Sequence, residues 1–244
     1  GIFSDFSGAN KIGLGFSGAR WVDQSAQATK KILSEPSSEK IASIVSGTQD
    51  YLIAPIVAVL CNEKSSVKVL DFGGGTGAIA LQVLNTLPKA ASVNFTIIDH
   101  KGVCSTGSEL LSKENRISFS TSLPTNQESF DIIHFGSSLQ YIDAWADLIK
   151  QMKTYRPKYL IISDAPAGDV PTFVTLQYYY GDLIPRWFWN LPYFINTIEN
   201  MGYQLMMKTT YMSKYLGEVQ PIPMKNFPKK YRLIHPCHIV FSLK

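Results

Sequence analysis

A chain of 244 residues that is 45% hydrophobic and 17% charged has the balance of an ordinary globular protein, which excludes a disordered or fibrous one. Its formal charge of +4 suits an acidic or phosphorylated substrate or a membrane surface, and is too small to argue for nucleic acid. Cys61, Cys104 and Cys237 are far apart, with no CxxC and no His/Cys cluster, so free thiols in a reducing compartment are expected and a metal site is not.

Residues 1–20, rich in Gly and Ser around Phe3, Phe6 and Phe16, read as an irregular arm. Helices are expected over 21–63. Val22, Ala26, Ile32 and Leu33 mark one apolar face, Ile41, Ile44 and Val45 a second, and Tyr51 to Leu60 a more buried third. The apolar run from Tyr51 to Cys61 is too short to span a bilayer, and no signal peptide is visible, so the expected location is the cytoplasm.

From Val67 onward apolar strands alternate with helices. Strands are expected at 67–72, 92–100, 116–124, 130–136 and 158–166, with helices at 78–87, 103–112 and 145–152 between them. After a long connection come a helix ending near Asn200, a strand in 203–210 and a terminal strand from His235, the last two expected to pair as an antiparallel hairpin at the sheet edge. This pattern predicts an α/β fold, a mostly parallel seven-stranded Rossmann-like sheet covered on both faces with an N-terminal helical cap. The expected organisation is an arm and cap over 1–66 and a ligand-binding core over 67–244. An aromatic insert occupies 167–194, where Gly181, Pro185 and Pro192 break any regular period and suggest a shaped wall or lid.

The first strand ends in Asp71-Phe72-Gly73-Gly74-Gly75-Thr76-Gly77. Glycines let the backbone approach a ligand and permit positive φ, and the helix N-terminus beyond them offers free amides. Taken strictly the loop satisfies G-x-G-x-x-A, so a nicotinamide or flavin dinucleotide is one reading. A carboxylate at Asp71 would repel a pyrophosphate and favour a cationic amine. S-adenosylmethionine (SAM) has that amine, a carboxylate for the helix N-terminus and a sulfonium. Asp99, ending the second strand, can accept both ribose hydroxyls.

These residues resemble class I SAM-dependent methyltransferases in "VLDFGGGTG", "FTIIDH" and "FDIIHFGSSLQYI". More narrowly, they resemble a methyltransferase family of bacterial surface-polysaccharide gene clusters. Leu70-Asp71-Phe72-Gly73-Gly74, Ser137-Ser138-Leu139-Gln140-Tyr141, Asp164-Ala165-Pro166, Gln177 and the 184–189 stretch "IPRWFW" carry that likeness, as does the arm with "FSDFSGA" and "GFSGA". Two departures stand out: Ala165 alone where an Arg-Thr pair is usual, and Asp99-His100 where Glu-Gln is commoner. The resemblance implies SAM as cofactor. It would be held by Asp71, Phe72, Gly73, Gly74, Gly75, Gly77, Asp99 and His100, with Ser122 and Leu123 after strand three and Gly136, Ser137 and Ser138 after strand four.

A sugar hydroxyl attacking the methyl benefits from positioning and from a base. Asp164 is the leading base or substrate anchor, with capping of the following turn as its competing role, and Asp169 is the runner-up. His100, Gln140 and Tyr141 are further catalytic candidates, while His134, inside strand four, reads as a buried structural histidine. Gln177, Tyr180, Arg186 and Trp187 are substrate candidates, because aromatic faces beside Arg suit a sugar ring and an anionic group. The same aromatics also suit a membrane or subunit interface. The expected function is O-methylation of a sugar or glycan intermediate. The alternatives are a spermidine-synthase-type aminopropyltransferase and a non-catalytic SAM-fold module that binds a partner. Peripheral membrane contact and self-association stay open.

Overall fold

The computed structural model describes residues 1–34, 52–88, 91–125, 127–179, 181–212, 214–215 and 218–244. The expectations for Ile41, Ile44, Val45, Tyr51 and Tyr180 lie outside them. At its centre is a sheet of seven strands in the order β3-β2-β1-β4-β5-β12-β9. The strands are β1 (Val67–Phe72), β2 (Val93–Ile98), β3 (Ile117–Ser120), β4 (Ile132–Gly136), β5 (Tyr159–Ala165), β9 (Tyr203–Thr210) and β12 (Cys237–Leu243). The first five pair in parallel and β12 runs antiparallel to both neighbours. β12 pairs antiparallel with β9 at this edge of the sheet, as the sequence suggests, with β9 outermost. It inserts between β5 and β9, and the segment leading from β9 to β12 carries the short antiparallel pair β10 (Lys214–Tyr215) and β11 (Glu218–Val219).

Helices α1 (Ala19–Ser34), α2 (Ile53–Glu63), α3 (Ala78–Thr86), α4 (Lys101–Leu110), α5 (Trp145–Lys153) and α6 (Leu191–Glu199) accompany the sheet. Side chains of period two sort into two cores. Val67, Val69, Ile132 and Ile161 join α2 and α3 on one face. Leu70, Ile133, Phe135, Leu160 and Ile162 join α5 and α6 on the other. On the second face Trp189 stacks on Phe194 at 4.5 Å and meets Trp145 edge-on at 5.5 Å, pairs worth about 0.5–1.5 kcal/mol each beyond burial.

The aromatic insert is more regular than its Gly and Pro content suggests. β7 (Phe173–Tyr179) and β8 (Asp182–Asn190) form an antiparallel hairpin with Gly181 at the turn (φ +97), and the short β6 (Ala167–Gly168) pairs with the far end of β8. Pro185 fits inside β8 because β6 reaches only Trp189 and Asn190, so Pro185's missing N–H faces no neighbouring strand.

The arm lies on this hairpin. Phe3 bridges Val174, Ile12 bridges Leu183, and the Gly15 N–H donates to Asp182 Oδ2 at 2.6 Å. The arm continues into α1, whose buried face is Ala26, Thr29 and Ile32, whereas Leu33, expected on that face, is 45% exposed. α1 is pinned to the loop after β1. The Thr76 N–H donates to Ser25 Oγ at 2.8 Å, Thr76 Oγ1 donates to Ser25 O at 2.8 Å, and the fully buried Thr29 Oγ1 is 2.7 Å from Thr76 Oγ1. Thr29→Val should lower unfolding free energy in urea by about 1–2 kcal/mol. An unchanged midpoint would mean that α1 is held by other contacts.

Candidate active site

Parallel register brings the functional loops to one level. Phe72 lies opposite Ile98 on β2 and Phe135 on β4, and Gly136 lies opposite Ser163 on β5. Gly73, Asp99, Ser137 and Asp164 therefore leave the sheet side by side, around a cavity of about 1060 Å³. That is at the upper end of the ~300–1,000 Å³ usual for ligand sites, room for two ligands together.

At one end, Asp99 accepts from the Gly75 N–H at 2.9 Å and the His100 N–H at 2.7 Å. Burial raises its pKa, and these two amides only partly oppose the rise. Phe72, Gly73 (φ +72), Ile98, His100, Thr121 and Leu123 complete this end. The amides of the glycine loop are thus already engaged, Gly75 by Asp99 and Thr76 by Ser25. Ser25 of α1 caps the turn before α3, while the α3 N-cap, Gly77, makes no side-chain cap.

At the other end stand Ser137 (φ 58) and Asp164 (φ 53), two of the three non-glycine residues with positive φ among the described residues. Such conformations are strained and concentrate where function over-determines them. Ser137 Oγ donates to Asp164 Oδ2 at 2.5 Å, and the Asp164 N–H donates to Nδ1 of the buried His238 at 3.3 Å. Gln140 is fully buried and does not reach the cavity. Its Nε2 donates to Ser137 Oγ at 3.2 Å, so it holds Ser137 and cannot touch an acceptor.

The hairpin and the arm build the outer wall. Tyr141 donates to Gln177 Oε1 at 2.8 Å, Arg186 Nη1 donates to the same oxygen at 3.3 Å, and the Phe16 ring meets Tyr141 edge-on at 4.6 Å. Trp187 is not part of this wall. It points into the core, its indole N–H donates to Ile142 O at 3.2 Å, and its ring stacks on Phe6.

Asp71 is also displaced from its expected role as a wall carboxylate. In phase with Val67 and Val69, it turns to the α2/α3 face, where it is fully buried and Oδ1 lies 2.8 Å from His134 Nδ1. His134 Nε2 is 3.2 Å from Ser163 Oγ, so His134 is buried and structural. A Cβ on Gly74 would come 2.4 Å from Asp71 Oδ2, and one on Gly75 would come 2.6 Å from Ser25 Oγ. Gly74, Gly75 and Gly77 shape the loop and are not lining residues. Ser122 is not a lining residue either, because it closes a turn on Ser120 Oγ.

The sequence model of the methyltransferase-domain family matches residues 45–205, well over half of the chain. The chain belongs to this family. No curated protein sequence matches it. A SAM-dependent methyltransferase from Mesorhizobium loti is similar in structure, with TM-score 0.54 and 10% identity over 80% of this chain and 98% of that one. Magnesium protoporphyrin IX methyltransferase from Synechocystis PCC 6803, solved with bound S-adenosylhomocysteine, gives TM-score 0.53 and 12% identity over 94% of this chain and 97% of that one. Of the residues expected from sequence, the cavity gathers Phe72, Gly73, Asp99, His100, Leu123, Gly136, Ser137, Ser138, Tyr141, Asp164, Gln177 and Arg186.

The arm residues Ser7, Asn10, Lys11 and Phe16, Trp21 at the start of α1, and Tyr179 and Tyr211 went unforeseen. The arm's signal was its aromatics, set between Gly and Ser, with no core of their own to bury in. An aminopropyltransferase would need paired carboxylates around a diamine channel, and Asp143, the lone carboxylate of the loop after β4, is not in the cavity wall. Asp71→Ala should cost on the order of 3 kcal/mol of stability, because it strips a buried His134 of its partner. Unfolding by urea reads this directly, and an unperturbed midpoint would show that the pair is not a structural unit.

Proposed function

We propose that this chain transfers a methyl group from SAM to a hydroxyl of a sugar or sugar-containing intermediate of surface-glycan biosynthesis, with Asp164 taking the hydroxyl proton. The observation that carries the reading is the strained, hydrogen-bonded Ser137–Asp164 pair at one end of a cavity whose other end presents Asp99. The sugar rests on the sequence resemblance and on the wall, where Tyr141, Phe16, Trp21 and Tyr179 offer ring faces beside the amides of Asn10 and Gln177.

The residues present fit the cofactor. The Asp99 carboxylate would accept the ribose hydroxyls, Ile98 and Leu123 would flank the adenine, and Gly73 lets the backbone approach where a Cβ would strike Ser138 at 2.5 Å. When bound, the cofactor supplies an electrophilic methyl on a sulfonium. Asp164 accepts the acceptor's proton as its oxygen attacks. Ser137 fixes the carboxylate plane through Oδ2. His238, accepting the Asp164 N–H on Nδ1 and therefore protonated on Nε2, fixes the backbone. The arm and hairpin form the outer wall of the reacting end.

His100 does not join this chemistry. It caps α4 at the end of β2, three strand spacings from β5, or ~14 Å, and its place is beside the ribose.

Asp164→Asn should lower kcat by about 10²–10⁴-fold and leave S-adenosylhomocysteine affinity nearly unchanged. Retained turnover removes Asp164 as the base. Ribose hydroxyls favour the ionised form of Asp99, whose folded pKa burial raises. Affinity for S-adenosylhomocysteine should therefore decline as pH falls, starting at a higher pH than an ordinary aspartate titrates. Calorimetry across pH should show Asp99→Asn weak and flat over the same range. A wild-type profile equally flat would remove Asp99 from the ribose.

A further inference from the structure

Arg186 is the one Arg or Lys side chain among the described residues that is nine-tenths buried, and it lines the cavity. No carboxylate among those residues lies within 4.0 Å of its guanidinium. Its contacts are one amide oxygen, Gln177 Oε1, and the faces of Tyr141 and Phe188 at 5.9 and 5.2 Å. Its Nε has no hydrogen-bond partner. Two ring faces and a neutral acceptor offset only part of the desolvation of a buried cation.

Its neighbour repeats the imbalance. Gln177 Oε1 is saturated by donors from Tyr141 and Arg186, and its Nε2 hydrogens have no partner among the described residues. The cluster therefore presents unmatched donors from a planar fork and an amide, and no carboxylate to satisfy them. A neutral sugar hydroxyl can accept from one of these donors, but it brings no charge to balance the buried cation. An oxyanion fits it well, because carboxylate and phosphate accept from the guanidinium edge in parallel.

We infer that the acceptor is an anionic sugar, held by seating its carboxylate or phosphate on Arg186 and Gln177 while Asp164 addresses a hydroxyl. This rests on the sugar-methylation reading above and narrows its substrate class. Hydrogen-bonded charge pairs of this kind change affinity roughly tenfold to a hundredfold. Arg186 is a specificity residue here and is not part of the proton transfer.

Calorimetry on the full chain tests it. S-adenosylhomocysteine binding is measured first, and its failure counts against the methyltransferase-cofactor reading, with the sugar titrations then run on ligand-free protein. Three probes follow on the saturated protein: methyl β-glucuronide, glucose 1-phosphate and methyl β-glucoside. At least one anionic probe should bind tenfold or more tighter than the neutral glucoside. Preference for the glucuronide identifies a carboxylate and preference for the sugar phosphate identifies a phosphate. Arg186→Met, which keeps length against Tyr141 and Phe188, should abolish the preference with S-adenosylhomocysteine affinity unchanged, and Arg186→Gln should repeat that if the first variant folds poorly. Equal binding of all three probes, silence with both anions, or a preference that survives both substitutions overturns the inference.

Discussion

The parallel register of β1, β2, β4 and β5 is the constraint on which the site depends. With Phe72 set opposite Ile98 and Phe135, and Gly136 opposite Ser163, four loops leave the sheet at one height. A slip of one residue would send every alternate side chain to the other face. Asp99 and Asp164 would then leave at different levels, and Asp71 would leave its buried pairing with His134. The apolar cores on both faces, from Val67 and Ile161 on one side to Leu70 and Phe135 on the other, hold that register.

On this platform the chain adds two layers of positioning. Beneath the wall lie buried groups outside the cavity lining, namely Asp71, His134 and Ser163 under the glycine loop and Gln140 behind Ser137. Above it lie the arm and hairpin, which hold each other through two short bridges and the Gly15–Asp182 bond. The lower layer is nearly dry and packed, which suits holding strained backbone at Ser137 and Asp164. The upper layer carries the aromatic and donor chemistry, with fewer contacts to the main core.

Much of the central sheet was legible because its signals are local. β1 is an apolar run that starts after Ser65-Ser66 and ends where it meets the glycines, and β9 covers its expected residues. The hairpin was not legible, since Gly181 and Pro185 normally break structure. Only the partner strands show that one sits at a turn and the other beyond the reach of β6. The two acidic strand ends looked alike in sequence, yet period two already separates them. Asp71 is in phase with the buried Val67 and Val69, whereas Asp99 lies past the end of β2. The same rule parts Arg186 from Trp187, since neighbours on a strand face opposite ways. The contribution of α1 through Ser25 and Thr29 had no local signal, because it depends on which helix the fold lays over the glycine loop.

The insertion of β12 between β5 and β9 has a consequence for how the molecule is assembled. β9 touches no strand of the main sheet except β12, which lies 26 residues further along the chain, so its edge groups have no ladder until β12 arrives. During synthesis the five parallel strands can pair first, while β9, with Met206 and Met207 exposed, waits unpaired and both cores still lack Ile239, Val240 and Phe241 of β12. Joining β5 to β9 is thus the late step, and because β12 carries His238, the backbone under Asp164 is anchored only when that step is complete.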